Sequence, residues 1–123
     1  MAFRPVRVSG LELHLARRGA AAQITVVGEL DAHNSRSLEL LGVEALEVPD
    51  LRVVVLDCSA VTHVSSDGLG ALLELSRLAD SLAVRFEVER PSRLLHRLLD
   101  LAGLHRLLSA GARPSGFADA GGG

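Results

Sequence analysis

The apolar run VVVL at residues 53–56 restricts the fold of this chain more than any other stretch. Asp57 closes it, and an uninterrupted apolar run of this length is typical of a central strand that is covered on both of its faces. The leucines that follow have the spacing of a helix: Leu69, Leu72, Leu73 and Leu78. A buried strand that leads into an amphipathic helix predicts an α/β fold.

Two strands are predicted before this run. Residues 11–16, LELHLA, alternate apolar and polar side chains, which is the pattern of a half-buried strand. Residues 22–30, AQITVVGEL, form the second strand, and the short connection RRGAA contains a glycine that suits a hairpin. The sheet is therefore expected to begin with an antiparallel pair.

A helix is predicted between the second strand and the apolar run. Its apolar residues recur at intervals of three and four: Leu38, Leu41 and Ala45. We expect it to begin near Asn34 or Ser35, either of which can cap a helix, and to end before Pro49 and Asp50.

A strand and a helix are predicted after the central unit. Residues 84–89 alternate apolar and charged side chains, as a strand does. The last helix begins near Pro91, and Gly103 is expected to cap its end. Three leucines are expected to form its buried stripe: Leu94, Leu98 and Leu101.

The order of predicted elements is strand, strand, helix, strand, helix, strand, helix. It predicts an α/β fold with a mixed four- or five-stranded sheet, packed by about three helices and with residues 53–56 in the central strand. Functional groups of such sheets gather beyond the carboxyl ends of the strands. Residues 29–34, ELDAHN, and residues 61–68, VTHVSSDG, are therefore expected to be neighbouring loops.

The length of 123 residues fits one domain with a modest core. Residues 11–110 are expected to form this domain, and residues 1–10 an N-terminal extension or short strand. Residues 111–123 are rich in glycine and alanine without hydrophobic periodicity, so they are expected to form a disordered tail.

Composition argues against several function classes. The formal net charge is −2 and all 13 basic residues are arginines, which provides no basic field for direct DNA binding. No stretch approaches the roughly 20 apolar residues of a membrane span, and the first ten lack the apolar run of a signal peptide. We therefore expect a cytoplasmic protein without membrane insertion. The single cysteine, Cys58, adjoins the apolar run and is expected to be a buried structural thiol.

The sequence carries no recognisable catalytic motif. It lacks the G-x-S-x-G elbow, the phosphate-binding G-x-x-x-x-G-K-[ST] loop and the third glycine of the dinucleotide fingerprint. The histidines do not have metal-ligand spacing: His14, His33, His63, His96 and His105. Asp31, Asp57 and Asp67 could meet at the strand ends, but no base, nucleophile or pocket is legible around them. We expect no catalysis, no cofactor and no metal.

The segment SSDGLG at residues 65–70 is unusual for the start of a helix. A capping serine and a first-turn acid account for Ser66 and Asp67 without any function, because both satisfy the helix N-terminus. They do not account for Gly68 and Gly70, since glycine within a helix costs about 1 kcal/mol relative to alanine. Absent side chains at one helix end are expected where another backbone or a partner protein comes close.

Three parts of the sequence resemble the landmarks of the STAS domain family, the fold of bacterial anti-sigma factor antagonists. They are GELD at residues 28–31, VVVLDCSAVTHVSSDGLGALL at residues 53–73 and RLLDLAGL at residues 97–104. The resemblance covers residues 11–108 and implies a binding module that docks on an anti-sigma factor and so frees a sigma factor. It also implies that the partner is often a serine kinase with a GHKL-type ATP site. That kinase phosphorylates a serine or threonine at the start of the central helix, and the phosphate breaks the docking.

This chain departs from the family at the phosphorylated position. The usual D-S-S-G-L reads SSDGL at residues 65–69, so Asp67 stands where the acceptor serine would be, and Ser66 is a candidate displaced acceptor. Aspartate carries about one negative charge against roughly 1.5 to 2 for a phosphoserine, so it would mimic the phosphate only in part. The partner-binding residues that the resemblance implies are Asp31, Ser65, Ser66, Asp67, Gly68 and Leu69.

Two other functions stay open from the sequence alone. One is a structural STAS subunit of a membrane-associated or lipid-transport assembly, which a gene neighbourhood of transporter genes would favour. The other is an unrecognised enzyme, which turnover by the purified protein would establish. For the antagonist, we expect Gly68→Arg to leave the fold largely intact and to weaken partner affinity.

Overall fold

The computed structural model describes residues 3–107 of the chain. Within them, five strands and three helices follow one another, and a short 3-10 turn closes the order. The elements are β1 (Phe3–Val8), β2 (Leu11–Arg18), β3 (Ala21–Leu30), α1 (Ser35–Leu46), β4 (Val53–Val64), α2 (Ser66–Ser81), β5 (Arg85–Glu89), α3 (Arg93–Leu101) and the turn His105–Leu107. The expected disordered tail, residues 111–123, lies outside the described residues.

All five strands belong to one sheet, in the order β1-β2-β3-β4-β5. The pairs β1–β2 and β2–β3 are antiparallel, whereas β3–β4 and β4–β5 are parallel. This confirms the predicted mixed sheet that begins with an antiparallel hairpin. The residues before position 11 contribute the edge strand β1, which pairs with β2.

One face of the sheet carries the hydrophobic core. Leu13 pairs with Val26 across β2 and β3, and the row from Ile24 through Leu56 to Val88 continues it across β3, β4 and β5. All of these side chains are buried. Because the crossovers through α1 and α2 run in the same direction along the sheet, right-handed connections place both helices on this face.

The expectation that residues 53–56 are covered on both faces is wrong. Val54 and Leu56 are fully buried, but Val53 and Val55 are only half-buried. Val55 lies in a row with Gln23 and Glu87, on the more polar face of the sheet. Valine suits a half-exposed strand position because its branched side chain packs on the pleated surface, so an apolar run does not require two covered faces. The strand is also fourth of five rather than the middle one.

The strand β4, in the middle of the parallel unit, is longer than expected. β4 runs for 12 residues, so the predicted loop VTHV at residues 61–64 is strand. Two register shifts against β3 interrupt the ladder, between Thr25 and Val27 and between Gly28 and Glu29. Bulges of this kind absorb extra residues and bend a strand without ending it.

The predicted buried stripe of α3 is wrong at two of its three leucines, whereas Leu98 is half-buried and packs against the core as expected. Leu95 and Leu99 are buried in the core, whereas Leu94 is 40% exposed and Leu101 is 77% exposed. The helix carries two adjacent leucine stripes, and spacing alone does not choose between them. The backbone N–H of Ser92, which precedes the helix, donates to the carbonyl of Cys58 at 3.1 Å. That bond ties the helix start to β4, and in this arrangement Leu95 and Leu99 face the core.

Candidate functional site

The start of α2 is fixed to the end of β3. Leu30 pairs with Val64 in the last step of the β3–β4 ladder, and the N–H of Ser65 then donates to the Leu30 carbonyl at 2.9 Å. The Ser65 hydroxyl accepts from the N–H of Gly68 at 3.3 Å, which caps the helix. The predicted start of this helix, within two residues of Ser66, is therefore confirmed, and Ser65 is the cap.

Gly68 lies beneath this junction and does not face solvent. It is buried, and a Cβ added there would come within 2.7 Å of the Leu30 carbonyl oxygen and 2.9 Å of Leu30 Cγ. The close approach that its missing side chain permits is therefore made by the chain's own backbone. Our expectation that Gly68→Arg would leave the fold largely intact is wrong, because no side chain fits between α2 and Leu30.

Gly70 behaves differently from Gly68. It is half-buried, and nothing outside its own helix lies within 4 Å of an added Cβ. The packing of the described residues therefore does not require a glycine there. Leu69, between the two glycines, is also half-buried and packs against the edge of the core.

Asp31 lies beside the helix start, as the rule for strand ends predicts. It directly follows Leu30, and its carbonyl accepts from the N–H of Ser35 at 2.8 Å as α1 begins. Its carboxylate accepts from the N–H of His33 at 2.9 Å, and the side chain is half-buried. The predicted neighbourhood of residues 29–34 and the α2 start is therefore present, although residues 61–64 belong to β4.

Ser66 and Asp67 are the groups that this arrangement presents to solvent. Both are exposed in the first turn of a 16-residue helix. Among residues 3–107, neither side chain makes a hydrogen bond or an ion pair. The site therefore offers a carboxylate and a hydroxyl at the positive end of the helix dipole, on a rigidly held backbone.

Asp57 does not belong to this group of exposed side chains. Its carboxylate is buried, accepts from the N–H of Ser59 at 3.1 Å and forms an ion pair with Arg90 at the end of β5. Burial raises the pKa of the Asp57 carboxyl, but the hydrogen bonds from Ser59 and Arg90 outweigh it and hold that pKa below its ordinary value. The three aspartates that could have met at the strand ends are thus divided between two separate settings, and Asp57 has a structural one.

Cys58 adjoins Asp57 and is buried, as predicted. Burial, together with the neighbouring Asp57 charge, raises the pKa of its thiol and disfavours the reactive thiolate. Across the described part of the chain, no three His, Cys, Asp or Glu side chains are placed to hold a metal ion. In the same part, no helix is both long enough and apolar enough to cross a bilayer.

Sequence reasoning missed the part that Leu30 and Asn34 play in building the site. Leu30 was taken only as the end of a strand, yet its carbonyl receives the α2 start. Asn34 or Ser35 was expected to cap α1, and Asn34 does occupy the cap position before the helix start at Ser35. Its side chain, however, makes no capping bond and is fully buried. An asparagine shortly after a strand end is only a weak sign of such a role. Its hydrogen-bond partners here are backbone groups, and a sequence does not reveal which backbone groups a side chain will contact.

Comparison with known proteins identifies the family of this chain and several structures of similar fold. A family model described as "Mlab, STAS domain" matches residues 13–109. The anti-sigma F factor antagonist of Paenibacillus polymyxa is 26% identical over 98 residues, which cover 80% of this chain and 84% of that protein.

Two solved structures have the same fold. The anti-sigma factor antagonist SpoIIAA in its unphosphorylated form has a TM-score of 0.65 at 19% identity, covering 88% of this chain and 86% of that one. An anti-sigma factor antagonist from Mycobacterium paratuberculosis has a TM-score of 0.67 at 20% identity, covering 87% and 83%. Since the family model spans most of the sequence and the fold agrees with it, the chain belongs to the STAS domain family.

Proposed function

We propose that this protein is an anti-sigma factor antagonist, which binds an anti-sigma factor and thereby frees a sigma factor for transcription. The observation that carries the proposal is the exposure of Ser66 and Asp67, without partners among the described residues, on a helix start that the backbone of Leu30 holds in place. The relative from Paenibacillus polymyxa, named as an anti-sigma F factor antagonist, supports it. The role is one of binding, in the cytoplasm, without catalysis.

The docking surface in this proposal consists of Asp31, Ser65, Ser66, Asp67 and Leu69. Gly68, which the resemblance also places at the contact, supports this surface from below because it is buried against Leu30. A preformed surface of this kind loses little conformational entropy when a partner binds. The partner that the family resemblance suggests is a serine kinase of the GHKL type.

Asp67 differs from the phosphorylated serine that the proposed switch would require at this position. By the family resemblance it occupies the position of the phosphorylated serine, and its side chain is a carboxylate without a hydroxyl, which resembles a phosphate in part. Partner switching in this protein would then have a fixed element where relatives have a reversible one. If the carboxylate weakens docking as a phosphate does, Asp67→Ala tightens partner binding; if it serves only the helix dipole, affinity stays unchanged.

Ser66 tests whether the phosphorylation site has moved. It is exposed like Asp67, but consecutive helix residues point about 100° apart, so a kinase aligned on position 67 would meet Ser66 in the wrong direction. We expect little or no phosphate on Ser66 after incubation with the partner kinase and ATP, and efficient phosphorylation of the Asp67→Ser variant. Phosphopeptide mapping measures both, and stoichiometric phosphate on Ser66 of the natural sequence would show that the site has moved.

The docking surface can be tested with two serines of the same helix. Ser66 and Ser81 are both exposed and lie at opposite ends of α2, so an arginine at either position adds the same bulk and charge. The tagged chain is first used to isolate its partner from its own cells, and the purified partner is then titrated calorimetrically. We expect Ser66→Arg to weaken binding about tenfold or more, a loss of about 1.4 kcal/mol, with Ser81→Arg close to wild type.

The same isolation separates the antagonist from the alternative function. A structural STAS subunit of a membrane-associated or lipid-transport assembly would be recovered with transporter components and without an anti-sigma factor. Recovery of such components without an anti-sigma factor would argue against the proposed function. Equal effects of the two arginine variants on anti-sigma factor binding would argue against the proposed docking surface.

A further inference from the structure

Asn34 is a fully buried polar residue whose side-chain amide uses both of its donors and its acceptor oxygen. Its Nδ2 group donates two hydrogen bonds, to the carbonyls of Ser9 and Glu29, each at 2.9 Å. Its Oδ1 atom accepts from the N–H of Asp31 at 2.9 Å. The amide therefore joins three backbone segments that are distant or separately folded: the β1–β2 turn, the end of β3 and the loop before α1.

Two of these bonds lie on either side of Leu30. Glu29 and Asp31 flank Leu30 in the chain, so Asn34 holds the backbone immediately before and after it. The Leu30 carbonyl in turn receives the N–H of Ser65 and lies against Gly68. The position of the α2 start thus depends on a backbone segment that Asn34 fastens at both ends.

The β1–β2 turn also contacts the segment around Leu30. The N–H of Glu29 donates to the carbonyl of Gly10 at 3.0 Å, and a Cβ added at Gly28 would lie 2.2 Å from that carbonyl oxygen. Gly28 has a φ of +105°, which glycine adopts without strain. Through Asn34 and the Ser9 carbonyl, this turn is locked to the strand end that carries Leu30 and Asp31.

We propose that Asn34 is a positioning residue of the docking surface, which acts through Leu30 and Asp31 and makes the β1–β2 turn part of its support. Asparagine suits this position because a short amide supplies two donors and an acceptor together. Aspartate would face two carbonyl oxygens with a charge and no donors, and alanine would leave the Ser9 and Glu29 carbonyls and the Asp31 N–H without this partner. The expected effect of Asn34 on partner affinity rests on the proposed function, whereas its expected effect on the position of the α2 start does not.

Hydrogen exchange tests the positioning role without any partner. The amide of Ser65 is the decisive probe, because Asn34 does not touch it and is coupled to it only through Leu30. We expect Asn34→Ala to lower the protection of the Ser65 and Glu29 amides about tenfold under native conditions, besides that of Asp31. The control is Val88→Ala, a truncation in the buried row of β5 whose effect on the two amides reports general destabilisation alone.

The outcomes of this exchange experiment are distinct. The two variants are first corrected for their difference in overall stability, taken from their denaturation midpoints. The inference is supported if Asn34→Ala then loses more protection at Ser65 than Val88→Ala does. A change confined to Asp31, whose hydrogen bond is removed directly, overturns it. An equal change in both variants also overturns it, because Asn34 would then contribute only to overall stability.

Affinity for the isolated anti-sigma factor extends the test to function. With both variants fully folded at the measuring temperature, we expect Asn34→Ala to bind about tenfold more weakly and Val88→Ala to bind like wild type. If wild type binds and both variants bind equally well, the positioning role is wrong while the proposed function stands. If wild type binds no anti-sigma factor, the proposed function fails, and the exchange of the Ser65 amide alone decides the role of Asn34.

Discussion

The starts of α2 and α3 are built in nearly the same way. Each follows a parallel strand and is capped by a serine, Ser65 or Ser92, whose hydroxyl accepts from an N–H three residues further on. In each, the N–H of the capping serine donates to a carbonyl of the neighbouring strand, Leu30 at 2.9 Å or Cys58 at 3.1 Å. The caps and the strand contacts therefore belong to the scaffold and do not by themselves mark a binding site.

The two helix starts differ in what they expose and in what holds them down. The first turn of α2 presents Ser66 and Asp67 and is seated by the close contact of Gly68 with Leu30. The first turn of α3 presents an arginine and a leucine, and the segment before it is held by the ion pair of Asp57 with Arg90. The same scaffold thus carries an acidic, hydroxyl-bearing surface at the start of α2 and a basic, apolar one at the start of α3. Function has to be read from these exposed groups.

The largest effect is expected where α2 rests on β3. Gly68→Arg forces a side chain into the Leu30 carbonyl, and overpacking together with a buried charge should cost about 3 kcal/mol or more. Gly70→Arg is the matched control, because its added side chain meets open space and should change stability by less than about 1 kcal/mol. Urea denaturation measures both, and similar midpoints for the two variants would contradict the seating role of Gly68.

The segment before α3 should depend instead on its ion pair. Arg90→Ala leaves the buried Asp57 carboxylate with its hydrogen bonding to Ser59 but without its ion pair, and should cost about 2 kcal/mol at neutral pH. Because the pKa of Asp57 is held below its ordinary value, the wild type keeps this stabilisation above the ordinary carboxyl pKa and loses it as pH falls through the lowered one.

The stability difference between wild type and Arg90→Ala should therefore shrink as the solution is acidified below about pH 4. Denaturation series at several pH values measure it, with Arg77→Ala, an arginine in an exposed pair, as the control. A difference that stays constant down to strongly acidic pH would show that Asp57 and Arg90 do not interact as an ion pair.

The two serine caps should contribute equally to stability but differently to partner binding. Ser65→Ala and Ser92→Ala each remove one hydrogen bond to a helix N–H and should each cost about 1 kcal/mol. Only Ser65→Ala should also change partner affinity, since Ser65 lies in the proposed docking surface. Thermal unfolding and calorimetric titration of the two variants give the answer, and equal effects on affinity would remove the distinction between the two helix starts.

The smallest effect concerns the first-turn charge of α2. Asp67→Ala should lower stability by about 0.5 kcal/mol, because a carboxylate interacts favourably with the positive end of the helix dipole. The loss should diminish in high salt, which screens exposed charges. Asp80→Ala, at the last turn of the same helix, removes an unfavourable dipole interaction together with the exposed 4.0 Å ion pair to Arg106, so it should be nearly neutral. A loss in Asp67→Ala that does not diminish in high salt would show that the dipole is not the cause.

The fold was predictable where one periodic pattern had one interpretation. The alternation in residues 11–16 and 84–89, and the spacing of Leu38, Leu41 and Ala45, led to the correct strands and helix. The leucines of α3 supported two stripes, and the wrong one was preferred because the choice depends on a tertiary contact. The half-exposed Val53 and Val55 were likewise taken as doubly covered, since β propensity and burial favour the same residue types.

The site was predictable in location but not in construction. The rule for strand ends brought Asp31 and Ser65 together correctly, and the family resemblance directed attention to Asp67. The role of Gly68 was misjudged because a glycine that admits a partner and one that admits its own chain look alike in sequence. The bridging role of the Asn34 side chain was missed because all three of its partners are backbone groups, two of them in another strand or turn.

The order of the strands has a consequence for how the chain acquires this fold. Every strand pairs with the strand that precedes it in the sequence, so no pairing has to wait for a distant part of the chain. Contacts between sequence neighbours are the ones that form fastest, because little loop entropy is lost in closing them. During synthesis each strand leaves the ribosome after the strand with which it will pair, so the sheet can grow from its antiparallel edge by successive addition of strands. The last two steps of this growth, the pairing of β4 with β3 and of β5 with β4, also assemble the two serine-capped helix starts.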